Sequence, residues 1–467
     1  MSGITTPRAE YTDVLKYVQK NRDCTEGQRE VKKATVKYLK PLESQLARNG
    51  DFTYEGQKSY LRYLDLALFY GATQITVSGF SGLVFRKDPQ IELTPRTEYL
   101  RDNIRLKNET MISQMQTAVN DGMVTPRSLL FVDFPVVNGR VSRAEAERNN
   151  LRPKILFFPF ESIINWHFAD EKLQFVVIKE TIETVKDYVV QTEDSYRLLE
   201  LIDGVYYHSV WNDSGEMVQD RSPVLINGSP ATEIPVYLIE PFDGKRSLID
   251  ALVDVNLNHY NMFASYANKE FSSGFPIFYE TGVQQEYDAD GCRIEGGNNQ
   301  IGPGVKWNSS NPDATFGVVE TQSDGGSLRT YLEDRKAEMA SLGADALSPK
   351  TTQAESGESK KLDKVGQNAT VADVANTVSR AYEQAIKFAA EWVGDNPEKV
   401  VIQLNTDYIP ADMNPQLLTS LLASYQSGAM SYETFYANLQ KGEIADPDIT
   451  AEEEQARINI DNGGLDQ

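Results

Sequence analysis

Apolar residues recur at helical spacing through residues 10–72. Leu39, Leu42 and Leu46, then Tyr60, Leu61, Tyr63, Leu64, Leu66 and Leu68, supply apolar faces, and Asn49-Gly50 separates two segments. The pattern predicts a mostly helical start. Residues 76–88 (TVSGFSGLVFRKD) read as a turn followed by a short strand, and a further helix is expected over residues 97–120, ended by Asp121-Gly122. From Ser128 to about Glu240 the pattern changes to short β-branched and aromatic runs separated by turn residues: LLFVDFPVV, ILFFPF, LQFVVIKETI, YRLLELI, VYYHSVW and IPVYLI. Several are apolar on both faces, so this sheet is expected to be covered or packed against another subunit.

Asp243-Gly244 opens a long helix predicted over residues 247–271, ended by Gly274 and Pro276. A polar, glycine-rich stretch with short strands runs to Gly326. Helix is expected again over residues 327–347, interrupted near Gly343 and stopped by Pro349. Residues 348–361 (SPKTTQAESGESKK) are small, polar and charged, the composition of a mobile loop. A helix of unusual length is predicted over residues 362–392. Val371, Val374, Val378, Ala381, Ala385, Phe388 and Trp392 form a narrow seam on it, suited to packing either inside the chain or against a neighbouring subunit. VVIQLN makes one more strand. Two helices, residues 415–425 and 431–439, precede an acidic tail expected to fray.

Composition narrows the class. The chain has 467 residues, 40% hydrophobic and 24% charged, which suits a folded protein of two or three domains or one elongated subunit. No internal repeat points to a solenoid or propeller. No apolar run reaches the roughly 18–20 residues of a membrane span, and no signal peptide is visible, so folding in a cytoplasm is expected. Cys24 and Cys292, far apart, read as thiols and not as a disulfide. The formal net charge of -22 argues against a protein that grips nucleic acid, since phosphate binding needs clustered Lys and Arg. A conduit that DNA slides past is still compatible, because acidic walls avoid contacts that would arrest the duplex.

Catalytic signatures are missing where they would be sought. The stretch from Gly297 to Gly302 has Pro303 where a phosphate loop needs lysine, with no strand leading in and no helix leading out. Gly79-Phe80-Ser81-Gly82 lacks the spacing of a nucleophile elbow. His167, His208 and His259 sit singly among aromatics and amides, so packed, hydrogen-bonded histidines are expected in preference to metal ligands. The pairs Asp288/Asp290 and Asp446/Asp448 lack the flanking pattern of a calcium loop. No enzyme activity, cofactor or metal is expected.

Several local strings, in their order, resemble the portal proteins of tailed bacteriophages, in particular a portal-like family of otherwise unknown domain type. They are Tyr70-Gly71 with the turn before Gly82-Leu83-Val84-Phe85-Arg86; Leu130-Phe131-Val132-Asp133-Phe134-Pro135; Ile163-Ile164-Asn165-Trp166; Leu248 to Tyr260; Gly274-Phe275-Pro276; and Met339 to Ala344. The resemblance covers about Tyr54 to Leu439. It implies an elongated α+β portal fold: an N-terminal wing over residues 1–246, a stem helix over 247–272, a small strand-containing clip over 273–326 and a second stem helix over 327–343. A tunnel loop would follow over 344–361, a long wing helix and strand over 362–411, and a short helical crown with the acidic tail over 412–467. With few residues after Asp407, any long C-terminal barrel would be missing.

The same resemblance implies a ring, commonly a dodecamer, at the capsid vertex of a virion. That ring would serve as the conduit for DNA packaging and ejection, and its subunits would be made in the host cytoplasm. Implied partners are further copies of the chain, a terminase, a head–tail adaptor, major capsid or scaffolding protein, and double-stranded DNA in the channel, with no membrane. Within the clip, acidic residues outnumber Arg293 and Lys306, and Glu286, Asp288 and Asp290 are candidates for docking basic partners. Lys350, Lys360, Lys361 and Lys364 are candidates for touching DNA, since one lysine per subunit repeated around a ring makes a positive belt. Two rival readings stand beside this one. Another virion structural protein, such as a connector or adaptor, would lack two long helices bracketing a strand-rich lobe, and an enzyme would need a metal cluster or cofactor loop.

Overall fold

Alternation along Ser128–Asp133 explains the centre of the molecule. Leu130 and Val132 point into one core and Leu129 and Phe131 into another, so this strand is buried along its whole length. The computed structural model describes residues 3–134, 151–226, 229–273, 277–282, 312–319, 326–343, 357–408, 415–442, 444–446 and 449–463. It is a mixed helix-and-sheet, α+β structure. The N-terminal part holds α1 (Ala9–Glu26), α2 (Gln28–Lys33), α3 (Tyr54–Leu66), α4 (Ala72–Val84), a short strand β1 (Gln90–Glu92) and α5 (Met111–Val124). Strands follow: β2 (Ser128–Asp133), β3 (Lys154–Phe158), β4 (Ile163–Ala169), β5 (Lys172–Lys186), β6 (Val189–Ile202), β7 (Val205–Asn212), β8 (Met217–Pro223), the two-residue β9 (Leu225–Ile226) and β10 (Ser229–Pro230), and β11 (Val236–Ile239).

Two sheets divide the work. The order β11-β2-β3 makes a three-stranded antiparallel layer with the helices on one face. The order β4-β5-β6-β7-β8 makes an antiparallel meander whose core includes Tyr11 and Val18 of α1 and the odd-numbered side of β2. Its first three turns are two-residue turns at Asp170-Glu171, Asp187-Tyr188 and Asp203-Gly204, each with both residues at positive φ. That geometry matches the right-handed twist of the flanking strands and fixes their register.

The chain continues through α6 (Asp250–Ser273), the antiparallel pair β12 (Ile277–Thr281) and β13 (Thr315–Val319), α7 (Gly326–Ser341) and α8 (Gly357–Trp392). β14 (Val401–Gln403) pairs antiparallel with β1, and α9 (Pro415–Gln426), α10 (Tyr432–Lys441) and α11 (Ala451–Gly463) close the sequence. The seam on α8 lies inside the chain. Val371, Val374, Val378, Ala381 and Ala385 are buried in the helical core, and Trp392 stacks on Phe134. Tyr382 anchors the same face by donating to Gln114 Oε1 at 3.0 Å.

Four local expectations are corrected. Residues 76–84 are helical, because Thr76, Val77, Phe80 and Val84 form one buried face of α4 that outweighs its two glycines. The helix expected over residues 97–120 is a 3-10 turn, Glu98–Leu100, then a loop with Leu106 and Asn108 at positive φ, and α5 starts only where Thr110 Oγ1 accepts from the Ser113 N–H. The acidic tail forms α11, opened by a reciprocal cap between Thr450 and Glu453. The long helix begins at Gly357, so the loop expected over residues 348–361 gives way to helix for its last five positions.

Candidate functional site

The long helix α6 starts from a polar knot. Asn21 Nδ2 of α1 donates to the Val124 carbonyl at 3.0 Å and lies 2.8 Å from both Ser247 Oγ and Asp250 Oδ1. Asp250 in turn accepts from the Ser247 N–H at 3.0 Å, which satisfies a backbone donor at the start of the helix. Arg22, next along α1, bonds Glu161 through Nε at 2.8 Å and also bonds the buried Asp121. Burial opposes the Arg22 charge, but Asp121 and Glu161 outweigh it and hold its pKa above the ordinary value. Burial pushes the Asp121 carboxyl up, while Arg22 pulls the other way. The root of α6 is thus fixed to α1 and α5 by groups that are expensive to leave unpaired.

From that root α6 and α7 run antiparallel. Leu252 clusters with Met339 and Ala72, and further out Tyr331 donates to Asn258 Oδ1 at 2.9 Å. Burial is graded along both helices. Leu252, Val253, Asn256, His259, Tyr260 and Ala264 of α6 are buried, and beyond Ala264 no residue of this helix with a described side chain is. On α7, Leu332, Met339 and Ala340 are buried, while the first turns before Leu332 are not. The pair therefore emerges from the body and carries the β12–β13 strands at its outer end. Gly343 terminates the inner end at φ +127, with Phe80 Cζ 2.9 Å from where a Cβ would stand, so the chain leaves α7 in close contact with α4.

A buried histidine marks the junction. His259 packs against Tyr70 and Phe263 with ring centroids 5.6 and 6.1 Å away, and Lys336 of α7 reaches over the Tyr70 ring. Among the described residues neither imidazole nitrogen of His259 has a hydrogen-bond partner, and His208 Nε2 in the meander has none either. The expectation of packed histidines stands for these two, while the hydrogen bonds expected with it are not found at His259 among the described residues. His167 is exposed beside Phe175. Among the described residues no group of three His, Cys, Asp or Glu side chains is placed to hold a metal ion. Cys24 is a free, buried thiol whose pKa burial pushes up to about 12.

A cavity of about 630 Å³ opens between α1, α4 and α5, walled by Arg22, Gln74, Ser78, Ser81 and Asn120 among others. Its cation is already engaged by two carboxylates, and the wall is otherwise mostly amides, hydroxyls and valines. Ser81, considered as part of a possible nucleophile turn, lies within α4 on that wall with no histidine lining it.

Glu286, Asp288, Asp290, Lys350 and Cys292, and the glycine-rich stretch from Gly297 to Gly302, lie outside the described residues. Lys360, Lys361 and Lys364 fall in the first turns of α8. The features that sequence reasoning missed are the Asn21–Asp250 knot and the Lys336–Tyr70–His259 junction. Both join residues far apart in the chain that carry no local motif.

Among the described residues no helix is long and apolar enough to cross a membrane. No curated protein matches the chain. Residues 248–393 match the model of a family described as a domain of unknown function, DUF4055, which is phage-associated. The segment shared with that family thus begins at the root of α6 and ends just past α8.

Proposed function

We propose that the chain is a portal-type subunit of a phage particle, assembling into a ring that conducts double-stranded DNA. One observation carries the reading: two antiparallel helices, with buried residues at their roots and none at their outer ends among the described side chains, bracket a strand pair and are followed by a helix of 36 residues. In a portal, such a pair forms the wall of the channel and the strand lobe docks partners outside the capsid. The phage association of the family matched over this segment supports the same reading. So does the net charge of -22, since a channel wall must not hold the phosphates tightly.

On this reading the ring performs no chemistry. A separate terminase supplies the work of packaging, and an adaptor replaces it afterwards at the lobe that carries Glu286, Asp288 and Asp290. Capsid or scaffolding protein surrounds the body. Negative-stain imaging of the purified full chain tests the proposal: rings with a central channel wide enough for a duplex are expected. Monomers that are also excluded from capsids when co-expressed with capsid and scaffolding protein would overturn it.

A further inference from the structure

The hairpin β5–β6 is longer than the sheet it belongs to. β4 pairs with β5 only as far as Ile178, and β7 pairs with β6 only as far as Ser195, yet the two strands continue paired to Lys186 and Val189. Residues 180–194 therefore stand out as a two-stranded ribbon whose edges pair with no other strand among the described residues. An isolated ribbon is marginal in water, and its open edges invite another chain.

The end of this ribbon is apolar and bare. Val185 and Val190, directly opposite each other, are 70% and 58% exposed, and Ile182 and Val189 are exposed as well. Tyr188 is fully exposed at φ 63, a left-handed conformation that a bulky side chain adopts at a cost. The turn itself requires that conformation, so what marks Tyr188 is that an aromatic, fully exposed, occupies a position where Asn or Gly is usual. Around these side chains residues 180–194 carry Glu180, Glu183, Asp187, Glu193 and Asp194 against the single cation Lys186.

The complementary surface is on the same chain. In α3, Tyr54, Lys58 and Leu61 lie on one face, opposite the buried Tyr60 and Tyr63, and Tyr54 and Leu61 are 73% and 55% exposed. On the other side of α3 runs the segment from Gln28 to Lys40, where Tyr60 donates to the Leu39 carbonyl at 2.8 Å and Lys32 reaches the Asp65 carbonyl at 3.1 Å near the end of the helix. That segment has five cations, Arg29, Lys32, Lys33, Lys37 and Lys40, against Glu30 alone, in a chain of net charge -22. Some of these charges are paired locally, Glu180 with Arg197, Asp194 with Lys179, Arg29 and Lys33 with Glu30 and Lys37 with Asp23, but the arm keeps a net negative charge and the segment behind α3 a net positive one, and the apolar side chains of both stay exposed.

We infer that the β5–β6 arm of one copy docks on the α2–α3 face of the next copy. Two unlike surfaces on one chain make a head-to-tail contact, the kind that closes into a ring when its rotation permits. The apolar tips supply the affinity, and the opposite charges orient the encounter and speed it. The inference deepens the ring reading and rests on it for closure, but the arm–face contact stands or falls separately.

Two full-length variants test it: Val185→Ser/Tyr188→Ser/Val189→Ser removes the arm tip, and Tyr54→Ser/Leu61→Ser removes the face. All five side chains are exposed, so unchanged melting temperatures are expected. By mass photometry the wild type should give rings, each variant alone monomers, and an equimolar mixture one-to-one dimers and nothing larger, since a single productive contact survives. Wild-type-sized rings from either variant, or a mixture that stays monomeric, overturns the inference and leaves the ring reading standing. A wild type forming open chains that both variants abolish supports the arm contact and overturns the ring. A monomeric wild type overturns both. Should a variant unfold, the charge pair decides: Glu183→Lys/Asp187→Lys should weaken assembly several-fold, and adding Lys33→Glu/Lys37→Glu in the same chain should restore it. Absence of that rescue overturns the inference.

Discussion

Tyr331 of α7 donates its phenolic hydrogen to Asn258 Oδ1 of α6 at 2.9 Å, about 9 Å along the helix from Leu252 at the root. The two helices are thus joined by a solvent-facing hydrogen bond outside and by buried apolar packing inside.

The two contacts should differ in energy. Met339 is fully buried, so Met339→Ala should lower the unfolding free energy by roughly 2–4 kcal/mol through lost burial and the cavity left behind. Tyr331→Phe removes a bond between groups that water can reach, and should cost less than about 1 kcal/mol. Urea denaturation of the two variants measures both. A larger loss at Tyr331 than at Met339 would mean that the roots are not what holds the pair.

Glycine substitutions should show opposite signs on one helix and on the segment packed against it. Gly343 sits at φ +127, and a Cβ added there would stand 2.9 Å from Phe80 Cζ and 3.1 Å from Thr76 Cγ2, so Gly343→Ala should destabilise by about 1–3 kcal/mol. Gly79 and Gly82 lie within α4 with open space around them, and alanine at either should stabilise by about 0.5–1 kcal/mol. Thermal melts read both directions.

These same residues show why parts of the fold were hidden in the sequence. Strands β2, β3, β5, β6, β7 and β11 were legible because β-branched and aromatic runs end at turn residues, and α6, α7, α8, α9 and α10 because their apolar spacing is long enough to read. α4 was hidden by Gly79 and Gly82, whose low helix propensity is overridden by the burial of Phe80 and Val84. The caps at Thr110 and Thr450 were readable signals, masked by the helix-like spacing of Leu100 and Ile104 before one and an acidic composition around the other. The knot around Asn21 was not readable, because it joins α1 to a residue 229 positions away. The exposed arm was hidden because alternation reveals a strand but not how far its neighbours accompany it.

Acid should loosen the molecule before ordinary carboxylate titration does. His208 and His259 are each pushed down to about 4, by burial first, then by Arg197 at His208 and by Lys336 at His259. In the unfolded chain both titrate near 6.5, so the unfolded state binds more protons between these values. Their contribution is complete above about pH 6.5 and is lost as pH falls toward 4, on the order of 3 kcal/mol for each histidine. Urea midpoints from pH 7 to pH 4 should fall, and His259→Leu should flatten the slope. An unchanged slope would mean that this imidazole reaches solvent in the native state.

The lysine belt now starts from a helix. Lys360 closes the first turn of α8, with Lys361 and Lys364 beyond it. At Lys360 the positive end of the helix dipole disfavours a cation by about 0.3–1 kcal/mol, an effect that fades past the first turn. Helix stability therefore gives no reason for lysine at 360, and on the portal reading contact with passing phosphates would give one. In the combined variant Lys350→Ala, Lys360→Ala and Lys361→Ala, ring assembly should be retained and the melting temperature should hold or rise slightly. If the portal reading holds, DNA packaging or retention in assembled particles should fall, because the phosphates would lose a weak positive track. The contact has to be weak, since a strong grip would stop translocation, so the expected loss is partial. It should be largest at low salt and shrink as added salt screens the same contact in the wild type. Particles holding DNA of wild-type length, retained as well as wild type even at low salt, would remove these lysines from the channel and leave them as ordinary surface charge.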